Sequence, residues 1–208
     1  PLLKASYYGH VSTVSLLLSQ RARVDARDEQ GLTPLLAAAH RGHSEVCKLL
    51  LKTGKASVKE THPDGHTPLL AASQGGHTEV CELLLANGSD LEESEPRSQF
   101  TALHFAAVCG HESLLQLLLS PKYKPNLNSR NRIKSTPLHL ASQEGHVASL
   151  KKLLQAGADP MLAQVDGALP IHLAAQRNYD EVVKILMKEG GCRPDQVRHT
   201  ACLLYTSP

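Results

Sequence analysis

A five-residue phrase recurs along this chain at a nearly constant spacing. It reads TPLLA from Thr33 and Thr67, TALHF from Thr101, TPLHL from Thr136 and LPIHL from Leu169. Successive copies begin 34, 34, 35 and 33 residues apart, and a Gly-His pair keeps step with them. A fixed period of this length is typical of an array of small stacked units, each packing on its neighbours. It argues against a single globular core, so function has to be sought in what differs between copies.

Each copy carries the signals of two short helices. Thr33 can cap a helix with its hydroxyl, and Pro34 suits the first helical position, where an N–H has no partner. Gly42 supplies the left-handed conformation that ends this helix. An apolar stripe over residues 46–51 predicts a second helix. The polar, glycine-containing stretch that follows predicts a turn or hairpin tip before the next copy.

The run TPLHLASQEGH followed by LKKLLQAGAD, Thr136 to Asp159, resembles the ankyrin repeat. The resemblance covers residues 1–196 in registered copies. It implies an all-α repeat fold, a curved ankyrin-type solenoid of helix-turn-helix units with projecting β-hairpin loops. The expected units are a truncated repeat at 1–27 and complete repeats at 28–61, 62–95, 96–130, 131–163 and 164–196.

Both ends of the chain depart from this pattern. Pro1-Leu2-Leu3 aligns with Pro34-Leu35-Leu36, so we expect a fragment that begins inside a repeat. Residues 197–208 form a diverged tail. Its ending, CLLYTSP, resembles translated adaptor sequence, which is excluded from fold reasoning. The alternative is the start of one more repeat.

Composition narrows the class of protein. The formal net charge is +2, from 22 Lys and Arg against 20 Asp and Glu, which is too small to indicate nucleic-acid binding through bulk charge. No apolar run approaches the ~18 residues that span a bilayer, so we expect no membrane insertion by this fragment. We expect an intracellular, cytoplasmic array, with a nuclear or membrane-associated parent protein as alternatives.

Cysteine and histidine positions favour structural roles. Cys47 and Cys81 share a register with Val and Leu in other copies, which predicts buried thiols. Cys109 falls at a variable place and is expected to be exposed. For the histidines the resemblance implies bonds to the capping Thr or its backbone in the first helix, and to adjoining loops at the Gly-His pairs. No HExxH motif, nucleophile elbow or phosphate loop occurs. We therefore expect no enzyme activity, catalytic residue, metal, cofactor or small-molecule substrate.

Two local features stay open. Asn128 lies where the resemblance implies a candidate site of asparagine hydroxylation, although Pro125-Asn126-Leu127-Asn128 matches the family only loosely. The loops at 122–134 carry a basic cluster without an acid, namely Lys122, Lys124, Arg130, Arg132 and Lys134. Such a cluster can contact phosphate or an acidic partner, or form a solvated loop.

The leading hypothesis is a non-catalytic scaffold that binds a protein partner of unknown identity through the concave face. The variable positions predicted to contact it lie at the loop tips and near the ends of first helices. On first helices they are Tyr7, Tyr8, His40, Arg41, Gln74, Val108, Cys109, Gln143, Glu144, Gln176 and Arg177. At the tips they are Leu32, His66, Arg97, Phe100, Arg132 and Ile133, with Glu29, Gln30, Pro63, Asp64, Ser98, Ser135, Val165, Asp166 and Ala168 as further variable positions.

Among these residues, Phe100, Val108 and Ile133 predict an apolar centre in the middle copies. Two alternatives remain. The array could be the substrate-recruiting arm of a larger enzyme or channel. It could also bind nucleic acid or another anionic ligand weakly through the basic loops.

Overall fold

The computed structural model describes residues 1–193, in two compact units that comprise residues 1–102 and the chain from Leu103 onward. The expected tail at 197–208 lies outside the described residues, as do the last residues of the repeat expected at 164–196. Each unit is a succession of paired helices. None of the helices in the described range is long and apolar enough to cross a membrane.

The helices alternate between the first and second helix of each pair. In the first unit they are α1 (Leu2–Tyr7), α2 (Val11–Ser19), α3 (Pro34–Arg41), α4 (Ser44–Lys52), α5 (Pro68–Gln74) and α6 (Thr78–Ala86). Helix α7 (Ala102–Val108) belongs to the second unit except for its first residue, Ala102. It is followed by α8 (Glu112–Leu118), α9 (Pro137–Gln143), α10 (Val147–Ala156), α11 (Pro170–Gln176) and α12 (Asp180–Lys188).

Helix α3 begins and ends at the Thr, Pro and Gly residues from which its limits were predicted. The Thr33 hydroxyl accepts a hydrogen bond from the Leu36 amide at 3.2 Å, and Pro34 occupies the first helical position. Gly42 ends α3 with φ 76°, in the left-handed region that costs glycine no steric strain. Because the second helix begins only two residues later at Ser44, the two helices of a pair lie side by side.

Packing runs in two rows within each unit. First helices pack on first helices, as α1 on α3 and α3 on α5, and likewise α9 on α11. Second helices form their own row, α2 on α4 on α6 and α8 on α10 on α12. Ala37, Ala38 and Ala39 have no accessible surface, which shows why small residues follow the opening leucines. Neighbouring first helices can then approach closely and bury their apolar faces.

The loops between pairs end in tight turns. The Asp28 carboxylate accepts from the amides of Gln30 and Leu32 at 3.0 and 2.8 Å, and the Asn131 side chain accepts from the Ser135 amide at 2.8 Å. These are Asx-type turns, in which a short polar side chain substitutes for backbone pairing. In the described residues the hairpin character is limited to these tips and to an isolated bridge between Ser94 and Thr101.

Two of the variable tip positions are wrong as surface predictions. Ser135 and Ala168 are buried, with 0% and 6% of their surface accessible. The carbonyl oxygen of Ser135 accepts from Nε2 of His104, and that of Ala168 accepts from Nε2 of His139, both at 3.2 Å. These positions therefore connect successive pairs within the second unit and are not available to a partner.

Candidate partner-binding surface

Histidines fix the exposed ends of several first helices. Nε2 of His43 donates to the carbonyl oxygen of Tyr7, and Nε2 of His77 to that of His40, both at 3.0 Å. In the second unit, His146 makes the same 3.0 Å bond to Val108. The Gly-His histidines are expected from the sequence to bond to backbone of adjoining loops; these three do bond to backbone, but to carbonyl oxygens in the last turn of first helices. Predicted contact residues thus lie on main chain that is held in place before any partner arrives.

A groove of about 410 Å³ lies in the first unit, between turn tips and first helices. Seven residues at the predicted variable positions lie around it: Tyr7, Gln30, Leu32, His40, Asp64, His66 and Gln74. The lining is completed by Leu36, His62 and Ala71. The lining combines apolar side chains with imidazole, amide and carboxylate groups, the mixture that is typical of ligand-binding clefts.

Asp64 organises the polar side of this groove. Its Oδ1 lies 2.7 Å from Nδ1 of His62 and 3.1 Å from Nδ1 of His66, and it accepts from the His66 amide at 3.0 Å. Partial burial acts to raise the pKa of this carboxyl, but the bonds from the His66 amide and from His62 lower the pKa to about 2. Asp64 is therefore ionised at any physiological pH and holds both imidazoles at the tip.

Two aromatic rings, those of Tyr7 and Tyr8, lie at the end of α1. The guanidinium of Arg41 lies 5.2 Å from the centre of the Tyr7 ring, a cation–π contact. Tyr8 packs edge-on against Tyr7 at 5.2 Å between ring centres, and 64% of its surface is accessible. Tyrosine and arginine, here a half-buried Tyr7 beneath Arg41 with an exposed Tyr8 next to it, are residue types enriched at interface centres.

In the first unit, a glycine in one turn tip packs against a proline in the next tip. Gly31 and Gly65 have φ of 81° and 90°, and a Cβ on either would collide with the ring of Pro63 or Pro96, respectively. The tip that follows Pro96 carries exposed Arg97 and half-buried Phe100. The contact of Pro96 with Gly65 therefore places this tip next to the tip that carries Asp64 and His66.

The second unit carries the remaining predicted contact residues. All are at least partly accessible, namely Val108, Cys109, Arg132, Ile133, Gln143, Glu144, Gln176 and Arg177. Ile133 and Val165, with 54% and 66% of their surface accessible, lie on successive tips joined by a 3.1 Å bond from the Val165 amide to the Ile133 carbonyl. Phe100 belongs to the first unit and Val108 and Ile133 to the second, so their joint role as an apolar centre stays a prediction.

The basic loop and Asn128 also lie in the second unit. Lys122, Lys124, Arg130, Arg132 and Lys134 are all exposed. The Asn128 side chain accepts from the Asp159 amide at 3.0 Å, which links two successive loops. Hydroxylation of Asn128 stays a prediction, and this bond shows that the side chain already has a structural partner.

The thiols separate as predicted into core and surface. Cys47 and Cys81 have no accessible surface, and burial raises the pKa of these thiols to about 12 and about 11. Cys109 is exposed; partial burial, and then the charge of Glu144, raise its pKa. Within residues 1–193, no three His, Cys, Asp or Glu side chains come together in a set that could hold a metal ion.

Sequence reasoning missed three residues of the groove. His62, Leu36 and Ala71 line it but did not stand out as variable surface positions. Leu36 and Ala71 belong to the opening turn of first helices, where the register indicates only core. The signal for His62 was its spacing from Asp64, because an imidazole two residues before a turn aspartate can reach that carboxylate.

The comparison with protein families matches ankyrin repeats (3 copies) over residues 2–95, 52–131 and 103–198. The crystal structure of the human ASB11 ankyrin repeat domain is similar to the whole chain, with a TM-score of 0.83 and 26% identity, covering 100% of this chain and 98% of that one.

Similar curated proteins align over shorter stretches. They include human transient receptor potential cation channel subfamily A member 1, 35% identical over 31% of this chain and 6% of its own length. Human palmitoyltransferase ZDHHC13 is 34% identical over 36% of this chain and 12% of its own. The Arabidopsis thaliana E3 ubiquitin-protein ligase KEG is 32% identical over 38% of this chain and 5% of its own.

The family match covers nearly the whole chain, residues 2–198, and the paired helices of the fold agree with it. The chain spans between 5% and 12% of the length of these three relatives. This chain belongs to the ankyrin repeat family.

Proposed function

We propose that this chain is a protein-interaction module whose first unit binds a partner polypeptide across the groove and the adjoining turn tips. Ankyrin repeats are in general protein-interaction modules, and the partner surface is the part specific to this chain. The observation that carries the proposal is that seven residues at predicted variable positions, from Tyr7 to Gln74, line one groove.

The rigidity of the surface supports this proposal. The carbonyl groups of Tyr7 and His40 are each bonded by a histidine of the following pair. The tip amide of His66 is held by Asp64 at 3.0 Å. A surface whose backbone is already ordered loses little conformational entropy on association, which favours affinity.

A matched pair of variants tests the proposal. Leu32→Arg places a charge on the apolar lining of the groove, while Leu16→Arg makes the same change on α2, where 63% of the leucine surface is accessible and outside the groove. Partners recovered by crosslinking should be retained by Leu16→Arg and lost by Leu32→Arg. Circular dichroism checks that both variants fold. Partners that respond equally to both changes contradict the proposal.

The relatives suggest a role for the array as part of a larger protein. Their names describe a channel, a palmitoyltransferase and a ubiquitin ligase, each far longer than the matched repeats. We propose that this array likewise recruits a partner for a larger protein, with chemistry supplied elsewhere. In the full-length protein, Leu32→Arg should then reduce modification or regulation of the captured partner while leaving the intrinsic activity unchanged.

A further inference from the structure

Ile133 and Val165 are the two most exposed large apolar side chains among residues 103–193, with 54% and 66% of their surface accessible. They lie on successive turn tips, and the Val165 amide donates to the Ile133 carbonyl at 3.1 Å. We propose that these two tips, residues 130–134 and 164–167, form a second docking surface, which we call the tip pair. Its occupant is an acidic polypeptide segment with apolar side chains, and its role is independent of the groove in the first unit.

Side-chain contacts fix the backbone of the tip pair. The Asn131 side chain accepts from the Ile133 amide at 3.1 Å. The Gln164 side-chain amide donates to the hydroxyl of Ser135. The bond between Ile133 and Val165 adds a main-chain link. Because this backbone is ordered before a ligand arrives, association costs little conformational entropy.

The fixed charges of the tip pair are mainly positive. Arg130, Arg132 and Lys134 lie close to Ile133 in the sequence and are exposed. The second tip contributes one acid, Asp166, whose carboxylate already accepts from an amide of its own turn at 2.9 Å. Guanidinium and ammonium groups remain charged throughout the physiological pH range. The tip pair therefore attracts carboxylates without the titration of any group.

Neighbouring elements leave this charge balance unchanged. Helices α9 and α11, which follow the two tips, contain no Asp, Glu, Lys or Arg. The residues just after them, Glu144 and Arg177, are one acid and one base. In the part of the chain that the structure describes, neither Arg130 nor Lys134 forms an ion pair. Their charges are therefore available to a ligand.

Lys134 is held in a backbone conformation that favours glycine. Its φ is 60°, in the left-handed region where a side chain is strained. Gly31, Gly65 and Gly167 occupy the equivalent place in other tips, with φ of 81°, 90° and 82°, and Gln99 is the other exception. Strained residues are concentrated at ligand-binding sites. A lysine in this strained position, beside the exposed apolar pair, is explained if its charge contacts a ligand.

The apolar centre favours a polypeptide over a nucleic acid. Neither Ile133 nor Val165 offers a flat ring on which a base could stack. A leucine or isoleucine of a bound segment would cover both side chains and remove apolar area from water. Carboxylates on either side of it would pair with Arg132 and Lys134 and orient the segment.

Fluorescence anisotropy with synthetic peptides tests the inference on the full chain. The probe is a labelled peptide of alternating Glu and Leu with Gly spacers, compared with a Lys-for-Glu version, a Ser-for-Leu version and a single-stranded oligonucleotide. The acidic peptide should bind best. The Lys peptide should bind at least about tenfold more weakly, because like charges face each other. The Ser peptide should also bind about tenfold more weakly, the scale of one apolar side chain that is no longer buried.

Two lysine variants separate binding from backbone strain. Lys134→Gly should weaken binding of the acidic peptide about threefold, the scale of one exposed ion pair. It should also unfold at an equal or higher urea concentration, because glycine removes the left-handed strain. Lys124→Gly is the matched control, at an exposed lysine with φ 47° outside the tip pair. It should likewise lose no stability, and its affinity for the peptide should be unchanged.

A second pair of variants tests the apolar centre. Ile133→Ser should weaken binding of the acidic peptide about tenfold. Leu16→Ser makes a comparable change at a leucine of the first unit that has 63% of its surface accessible, and it should leave the affinity unchanged. The Leu32→Arg variant should also bind the peptide normally, since it alters only the groove. Failure of the tip pair and failure of the groove are thereby distinguished.

Several results would overturn the inference. These are no binding of the acidic peptide, equal binding of the Lys or the Ser peptide, equal effects of Lys124→Gly and Lys134→Gly on affinity, or a loss of stability in Lys134→Gly. Tighter binding of the oligonucleotide, with no effect of Ile133→Ser on it, would assign the cations to phosphate recognition and reject the polypeptide.

Discussion

Nε2 of His139 lies 3.2 Å from the carbonyl oxygen of Ala168, 29 residues further along the chain. A carbonyl oxygen only accepts, so Nε2 carries the proton and Nδ1 accepts from the Thr136 amide at 3.2 Å. One neutral imidazole thereby caps its own helix and fixes the next turn. The expected bond back to the capping Thr is confirmed here, and the second bond explains why Ala168 is buried.

This arrangement predicts that the second unit loses stability in acid. Burial lowers the pKa of His139 and of His104 to about 4, from an ordinary value of 6.5. The folded state therefore holds these groups neutral, and protons bind preferentially to the unfolded chain. The stabilisation is fully present above about pH 6.5 and is lost as the pH falls toward 4, at up to about 3 kcal/mol per histidine. Urea unfolding from pH 7.5 to 4.5, followed by amide exchange in the second unit, measures it.

His139→Leu is the control for this pH effect. Leu36 and Leu70 occupy the equivalent position in other copies, so the side chain fits the fold. The variant should be about 1–2 kcal/mol less stable at neutral pH, because the Thr136 amide and the Ala168 carbonyl lose a partner. Its stability should nevertheless depend less on pH below 6.5. An unchanged pH slope would show that other groups cause the acid sensitivity.

A substitution at Ser149 is expected to increase stability. It is fully buried on α10, and its hydroxyl has no hydrogen-bond partner. Val46, Val80 and Val182 hold the equivalent place and are buried. Ser149→Val should therefore raise the free energy of unfolding by about 1 kcal/mol, by removing an unsatisfied polar group and adding apolar contact.

The matched control is another buried serine of the second unit. The Ser142 hydroxyl donates to the Leu138 carbonyl at 2.7 Å, so it is satisfied. Ser142→Ala should change stability by less than about 1 kcal/mol and should not stabilise. Chemical denaturation of both variants decides the matter, and a destabilised Ser149→Val would show that the core has no room for the added methyl groups.

The thiols allow a test by chemical modification. Iodoacetamide at mildly alkaline pH should label Cys109 and spare Cys47 and Cys81, because the thiolate is the reactive form and burial raises the pKa of the latter two. Glu144→Gln should accelerate labelling of Cys109 by removing a charge that raises its pKa. Peptide mapping by mass spectrometry identifies the sites.

The substitution Cys47→Val should change the free energy of unfolding by less than about 1.5 kcal/mol, as volume-conserving swaps do.

Local features of the fold followed from the sequence, while contacts between repeats did not. Thr33, Pro34 and Gly42 act within one copy, so their caps and turns could be predicted. Ser135 and Ala168 are also variable between copies, yet both are buried, and the carbonyl oxygen of each accepts from a histidine about one repeat earlier. The groove combines the two cases. Tyr7, His40 and Gln74 were found by register, whereas His62 belongs to it through its 2.7 Å contact with Asp64.

Gly65 provides a test of how the tips stack. Its φ is 90°, and a Cβ would collide with the Pro96 ring. Gly88 has the same φ of 90° but has no atom within 4 Å of where its Cβ would lie. Gly88→Ala should cost only the left-handed strain, about 1–2 kcal/mol. Gly65→Ala should lower the free energy of unfolding by more than this and should shift the NMR signals of residues 95–100. Equal losses in the two variants would mean that the Pro96 contact does not affect stability.

The last prediction concerns the relative weight of apolar and basic contacts in partner binding. Phe100 lies on the tip that begins at Glu95, with its amide bonded to the Glu95 carboxylate at 3.2 Å. Truncation to Ala leaves that backbone bond in place and removes only the half-buried ring. If the tips contact a protein, Phe100→Ala should weaken binding by ~2 kcal/mol or more, the scale of an interface hot spot.

The comparison is Lys122→Ala combined with Lys124→Ala, which removes two exposed charges from the basic loop. A protein partner on the tips should lose less than ~1 kcal/mol through this change, because charges at the rim of an interface contribute mainly to the association rate. A phosphate-bearing ligand would instead respond strongly to the lysines and show a steep dependence on salt. Titration calorimetry at two salt concentrations with a purified partner separates the two. If Phe100→Ala leaves the affinity unchanged while the double lysine variant lowers it strongly, the partner does not bind the tips. Binding of an anionic ligand by the basic loop would then be favoured.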